Sequence, residues 1–466
     1  MIAALRIVVP WALLAVFLAC ALRWRIFLLG IPFLMCMDSS VFFDTMRVFH
    51  VPGRFEGQVL VLLWLIVVWA LATGRLLPRT ASAGPPAIPG VRRRRFLPEE
   101  LAVVALAALV IGHILVNAVV TADFGGAAGR GVGMLSMVAG YFLIRDIVEH
   151  ATRRETIMFL GVVVLANTVA TVLFILHQGL HVSIYAAAEN TALVFQGQAI
   201  TRTFTFAPPF VVLTLAFVFA RRRWTPAWSV VLLITAVGIW VSYTRSLLMI
   251  AAATLLLTMF ARQLKRPTAR VLLQRALGLV AIGLALFWAF TTFIPTETHY
   301  FEERLSGLRA NPSGSRDSSF IYRSQHLAST LALVERSDLT FGIGFPPPAQ
   351  AASSAQIEFW GADTAWILVV YRLGIAGVLV FLALFIGFGA RAFRLFMSGT
   401  GDREYLGLVF LAAIVASALL TGSSWGFMQP GVLPIGLWIF AFVAAEARRP
   451  GTMTALPSGQ EEESAV

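Results

Sequence analysis

The chain has 466 residues, 58% of them apolar and only 13% charged, with 36 basic residues against 24 acidic ones and a mean hydropathy of +0.81. That many greasy side chains exceed what one or two soluble domains bury, and so few charges cannot solvate them, which excludes a soluble enzyme and a disordered scaffold. A net charge of +12 would suit a polyanion binder, but the basic residues sit in short runs between apolar stretches, as the positive-inside rule places them, so no nucleic acid is implied.

A membrane crossing takes about 20 predominantly apolar residues. In chain order, apolar runs predict spans near 4–22, 57–74, 101–121, 132–145, 156–177, 208–220, 226–243, 247–261, 276–293, 366–388, 405–421 and 431–447. A short run over 26–37 is either a thirteenth span or a half-helix. The expected fold is therefore an all-α polytopic membrane protein of 12 to 13 transmembrane helices, with residues 1–449 as one transmembrane domain. Phe17-Leu18-Ala19-Cys20 loosely resembles a lipoprotein cleavage box, but Arg23 and Arg25 follow it, and 4–22 reads as an uncleaved helix. Cys20 and Cys36 lie in apolar segments and read as small core or membrane-facing residues.

The basic runs assign the cytoplasmic loops: Arg75 with Arg92 to Arg95, Arg145 with Arg153 and Arg154, Arg221 to Arg223, Arg262 to Arg275, Arg391 with Arg394, and Arg448 with Arg449. Every second loop is then basic. A cytoplasmic linker is expected over 75–100, around the Pro/Gly/Ala stretch from Arg79 to Gly90, and a disordered cytoplasmic tail over 450–466. Two outward segments, about 177–207 and 294–364, are too long for turns, and loops of that length in an economical chain are usually functional. The second carries Arg304, Arg309, Arg316, Arg323 and Arg336 against the charge trend. It also holds an amphipathic helix from Tyr322 to Glu335, with Leu327, Leu331 and Val334 on one face, and closes at Gly342-Ile343-Gly344-Phe345-Pro346-Pro347-Pro348. No internal repeat is visible.

Candidate chemistry lies at the outer ends of the spans. Arg245, in Ser242-Tyr243-Thr244-Arg245-Ser246, falls between two apolar runs that form a tight helical hairpin. A guanidinium there needs a partner or an anionic ligand, unless it snorkels to headgroups. Arg202 lies just before Pro208-Pro209, where a helix N-terminus would add its dipole and free N–H groups to the charge, although the same elements can simply mark a membrane boundary. Asp363 reads equally as the N-cap of the following apolar helix or as a general base. Arg372, about two and a half turns further along, either pairs with a carboxylate or lines the cavity. Arg323, Arg316 and His326 are loop candidates whose alternative is a solvated face. His113 and Asn117, one turn apart, read as an interhelical hydrogen bond. The chain has no phosphate-binding G-x-x-x-x-G-K-[ST] loop, no H-E-x-x-H, no Cys/His metal spacing and no D-x-D pair, so neither metal nor cofactor is expected.

Taken in order, four segments resemble the O-antigen ligase and Wzy-type polysaccharide polymerase superfamily. Arg202-Thr203-Phe204-Thr205-Phe206-Ala207-Pro208-Pro209 looks like its Arg-x-Gly-Thr-Phe-x-x-Pro-Asn element, and Thr244-Arg245-Ser246 looks like its Ser-Arg element. The stretch from Arg323 to Gly342-Ile343-Gly344 resembles its Arg, amphipathic helix and Gly-Ile-Gly. Asp363-Thr364-Ala365-Trp366-Ile367 with Leu373-Gly374-Ile375-Ala376-Gly377 is similar to its closing His-Asn-x-x-Leu and Gly-x-x-Gly. The similarity covers roughly 150–425.

The resemblance implies a GT-C type, metal-independent glycosyltransferase of the bacterial inner membrane, active at the periplasmic face on an undecaprenyl-diphosphate-linked oligosaccharide and a glycan acceptor. Chain-length regulator and flippase proteins join the bilayer among the implied partners. Arg202, Arg245 and Arg323 would bind the diphosphate, with Arg245 and Asp363 catalytic and Arg316, His326 and Arg372 secondary. Guanidinium forks suit phosphate oxygens and stabilise charge building on a leaving diphosphate. Asp363 stands where ligases have His, which favours a repeat-unit polymerase over a ligase acting on lipid A core. A transporter or flippase is the contending class, but broken midplane helices and repeated halves, its usual marks, are not visible in the sequence.

Overall fold

The computed structural model describes residues 2–37, 56–74, 96–179, 190–195, 198–203, 208–221, 225–242, 245–265, 328, 332, 339–345, 365–423 and 433–449. In chain order the helices are α1 (Ile2–Ala21), α2 (Gly30–Met37), α3 (Glu56–Ala72), α4 (Glu100–Thr121), α5 (Phe124–Glu149), α6 (Arg153–Gly179), α7 (Pro208–Phe219), α8 (Pro226–Val241), α9 (Arg245–Lys265), α10 (Ala365–Ser398), α11 (Gly401–Ser423) and α12 (Trp438–Arg448). Six of the described helices are long and apolar enough to cross a membrane, and further apolar helical segments, Ile7–Ala21, Arg25–Met37, Gln58–Ala72, Pro209–Phe219 and Pro226–Val241, pack with them. The protein is a membrane-embedded helical bundle. Among the described residues the exception to helix is an antiparallel hairpin of β1 (Asn190–Phe195) and β2 (Gln198–Thr203), in register from Asn190 opposite Thr203 to Phe195 opposite Gln198.

Eleven of the twelve expected spans meet a described helix, and the twelfth, 276–293, lies outside the described residues. The short run over 26–37 folds as a 3₁₀ turn, Arg25–Leu29, leading into the eight-residue α2, whose Phe33, Leu34 and Cys36 are buried. Near the C-terminus a 3₁₀ turn over Leu433–Ile435 takes the first part of the expected 431–447 span and leaves eleven residues for α12.

The bundle has a perimeter of exposed apolar side chains and a buried centre. On α4, Leu101, Val104, Ile111, Leu115 and Val119 are exposed, the pattern of a lipid-facing helix. At the centre is α7, whose residues from Phe210 to Ala220 are all buried. Pro208 and Pro209 open this helix, where the missing N–H groups are unneeded and φ is already helical. Lipid is as apolar as leucine, so contact between helices relies on packing and interhelical hydrogen bonds. Asn167 on α6 supplies one of these, donating to the Thr214 hydroxyl on α7 at 3.0 Å.

One end of the bundle is tied by ion pairs. Glu100, fully buried at the start of α4, accepts from Arg145 Nη1 at 2.6 Å, from the Tyr141 hydroxyl at 3.0 Å, from the Leu97 N–H at 2.7 Å and from Arg448. Arg448 also bridges to Glu149, and Glu446 joins Arg153 to Arg449, which reaches the Thr156 hydroxyl. Burial pulls the Arg449 guanidinium below its ordinary range while Glu446 pushes it back up. Glu99 holds Arg391 through two bonds of 3.1 Å and Arg394 at 3.2 Å. The Trp69 indole donates to Asp146 at 2.8 Å.

This network corrects one expectation. The linker drawn over 75–100 reaches too far, because Glu99 and Glu100 belong to the bundle. Arg145, Arg153, Arg448 and Arg449, from the basic runs used to assign the cytoplasmic loops, are partners of buried carboxylates. Removing one member of a buried pair strands the other, so Glu100→Ala is expected to lose about 3–5 kcal/mol of stability. Arg394→Ala, whose side chain is 62% exposed, should lose less than about 1 kcal/mol. Denaturant unfolding in detergent micelles reads both, and equal losses would contradict a buried network.

Candidate functional site

Helix α10 is broken. Gly374 has φ 61° and ψ −158°, a backbone region closed to residues with a side chain. In an unbroken helix the Tyr371 and Arg372 carbonyls would bond the N–H groups of Ile375 and Ala376. At this break all four groups turn to the segment Leu339–Phe345. Ile343 N–H donates to the Tyr371 carbonyl at 2.8 Å and Gly344 N–H to the Arg372 carbonyl at 3.0 Å. Ile375 N–H donates to the Leu339 carbonyl at 3.0 Å and Ala376 N–H to the Thr340 carbonyl at 2.9 Å. The loop segment replaces one missing turn of helix, which is how a broken helix is tolerated at membrane depth.

Contact this close demands glycine on both sides. A methyl group on Gly342, itself at φ +77°, would lie 2.6 Å from the Gly374 nitrogen, and one on Gly374 would lie 2.5 Å from the Gly342 nitrogen. Arg372 adds a side-chain tie, Nη1 donating to the Gly344 carbonyl at 3.0 Å, with its guanidinium carbon 5.1 Å from the centre of the Phe345 ring. On the other side, Gly344 meets α4 at His113 and Asn117, and the Phe345 ring stands edge-on to the His113 ring at 6.4 Å. The Asn117 Nδ2 is buried with no hydrogen-bond partner among the described residues.

The seam lies at the end of the bundle opposite the ion pairs. Arg372 and Arg391 are 19 residues apart on α10, about 29 Å at 1.5 Å per residue. The same end holds the start of α9, since Arg262 near the other terminus of that helix bonds the Ala220 carbonyl at the end of α7. Arg245 is the first residue of α9 and α8 ends at Val241, but the two helices scarcely touch: α8 packs mainly on α6, and α9 on α7 and α11, so the tight helical hairpin expected around Arg245 is not formed. Arg202 is in β2, opposite Thr191, and α7 begins six residues later at Pro208. The strand β2 lies against α6.

Asp363, Arg316, Arg323 and His326 lie outside the described residues, and α10 begins at Ala365. Ala328 and Ala332, from the stretch read as an amphipathic helix, are helical and exposed, and the rest of that stretch lies outside the described residues. The structure thus joins the Gly-Ile-Gly element to the Gly374–Gly377 element and adds Arg372. His113 and Asn117 abut this seam, and their positions in the sequence, on a different apolar run, gave no sign of it.

Gly374→Ala is expected to cost at least about 1–3 kcal/mol from backbone strain alone, with overlap on the Gly342 nitrogen added. Gly112→Ala on α4, where a methyl meets nothing within 4 Å, should be neutral or stabilise by up to about 1 kcal/mol. Thermal unfolding compares the two, and equal effects would argue against a welded break.

Compared with family models the chain matches none, and no curated protein matches it. The functional reading therefore rests on the residues and their arrangement.

Proposed function

We propose that the chain is a metal-independent glycosyltransferase that uses an undecaprenyl-diphosphate-linked glycan at the periplasmic face of a bacterial inner membrane, polymerising repeat units of exopolysaccharide or O antigen. The observation that supports this reading is the seam: two motifs quoted for the family likeness, Gly342-Ile343-Gly344 and Gly374 with Gly377, meet at Gly342 and Gly374, and their flanking residues are hydrogen-bonded across the join, at the end of the bundle where Arg245 starts its helix. A lipid diphosphate partitions its tail into the bilayer and its anion to that depth, where guanidinium forks suit its oxygens. In the reaction the acceptor hydroxyl attacks the anomeric carbon, the bond from that carbon to the phosphate oxygen breaks, and the lipid diphosphate leaves with the electron pair. Asp363 takes the hydroxyl proton, and Arg202, Arg245 and Arg323 hold the diphosphate as its charge grows.

The broken helix bears on the contending class, because broken helices are common in transporters and none was visible in the sequence. Transporters use the freed helix ends to hold substrate or ions. Here the four groups at the break are occupied by Leu339, Thr340, Ile343 and Gly344, which favours a structural break over a transport site.

Arg202→Ala, Arg245→Ala and Arg323→Ala are each expected to abolish long-chain glycan while the protein stays inserted, and unchanged chain length on a gel in all three would refute the proposal. For Asp363, a base role requires Asp363→Asn to lose about 100-fold or more in rate, whereas a cap tolerates Asn with little loss. Incubating purified protein with lipid-linked repeat separates polymerase from ligase: a polymerase lengthens the glycan on its lipid, and a ligase moves it to lipid A core.

A further inference from the structure

We propose that Arg372 is a positioning residue for this reaction, holding the end of the external segment in register with α10, and not a ligand of the diphosphate; the proposal rests on the glycosyl-transfer reading above. Arg372 meets Gly344 twice. Its carbonyl accepts the Gly344 N–H and its guanidinium donates to the Gly344 carbonyl, each at 3.0 Å, so one residue of the loop is gripped through both of its backbone polar groups. The guanidinium also lies over the buried Phe345 ring, which fixes its plane. Phe345 and Gly344 in turn press on His113 and Asn117 of α4. Arg372 thus sits at a three-way junction of α4, α10 and the loop.

The seam divides α10 into a short outer piece, Ala365–Leu373, and the long remainder. A helix interrupted at Gly374 has no ladder of its own to fix the direction of that outer piece. Its orientation is set by the four backbone bonds to Leu339–Gly344 and by the Arg372 tie. Asp363 precedes this outer piece by two residues in the chain. Loosening the seam is therefore expected to act through the start of α10, which Asp363 precedes in the chain, while Arg372 itself makes no contact with the diphosphate, and small misplacements of a reacting group are costly.

The test uses the full chain in lipid nanodiscs, with Arg372→Met, which keeps the stem over Phe345 but has no donor, and Arg372→Gln, which keeps an N–H for the Gly344 carbonyl. Arg372→Ala serves as a second donorless variant if Arg372→Met fails to insert. Amide hydrogen exchange is followed in peptides covering 339–345 and 371–377, affinity is measured for undecaprenyl diphosphate, and kcat and KM are measured with lipid-linked repeat extracted from the source bacterium. Arg372→Met is expected to exchange about tenfold faster at the seam. Its affinity for undecaprenyl diphosphate should stay within about twofold, and its kcat should fall about tenfold or more at an unchanged KM. Arg372→Gln should restore both exchange protection and kcat. Unchanged exchange in Arg372→Met overturns the proposal whatever the turnover, and so does weakened affinity for undecaprenyl diphosphate with exchange protection intact, since the guanidinium would then be gripping the ligand. If the wild-type chain neither binds undecaprenyl diphosphate nor extends the glycan, it is the glycosyl-transfer reading that falls, and the exchange result still decides whether Arg372 holds the seam.

Discussion

Backbone N–H and C=O groups inside a bilayer have no water to fall back on, and each left unpaired costs several kcal/mol. The break in α10 is where this constraint bears hardest. Two carbonyls and two amides lose their helical partners at Gly374, and a segment some thirty residues upstream supplies replacements one for one. That exchange makes a membrane-spanning helix depend on a loop for its own continuity. It ties loop and span into one structural unit and explains why glycines face each other across the join.

The two ends of the bundle are built on different physics. At one, carboxylates with little or no solvent exposure are met by arginines from helices remote in sequence, Glu100 gathering Arg145, Arg448 and the Tyr141 hydroxyl. These contacts are long-range and directional, and they set the relative positions of α4, α5, α6 and α12. At the other end, among the described residues, the ties are made mainly by backbone groups and by the Arg372 guanidinium.

Much of this was legible in the sequence, and the reason is uniform. A hydropathic run long enough to cross a bilayer announces itself locally, so helices from α3 to α11 fall close to the expected spans. Arg245 at a helix start was legible for the same reason: it sits between two such runs. What escaped was everything set by partners far along the chain. Glu100 looks like a loop charge beside Arg92 to Arg95, and its partner Arg448 lies 348 positions away. Gly374 sits in an apolar stretch and reads as uninterrupted helix until Gly342 is seen against it. Arg372 was recognisable as a cation in need of a partner, but nothing in its neighbourhood named a carbonyl 28 positions earlier. The hairpin carrying Arg202 escaped because its alternation is brief and its strands are six residues each.

One further consequence follows from the composition of the charged end. Arginine serves nearly everywhere as the cation, and Lys265 is the single lysine of the chain. Its ammonium is paired with Glu404 at 3.1 Å and donates to the Phe396 and Gly399 carbonyls, joining the end of α9 to the turn between α10 and α11. The protein therefore offers amine-directed reagents one ε-amino group, and that group is engaged in a helix junction. Acylation there reports on the opening of one defined joint, which turns an accident of composition into a single-site spectroscopic handle.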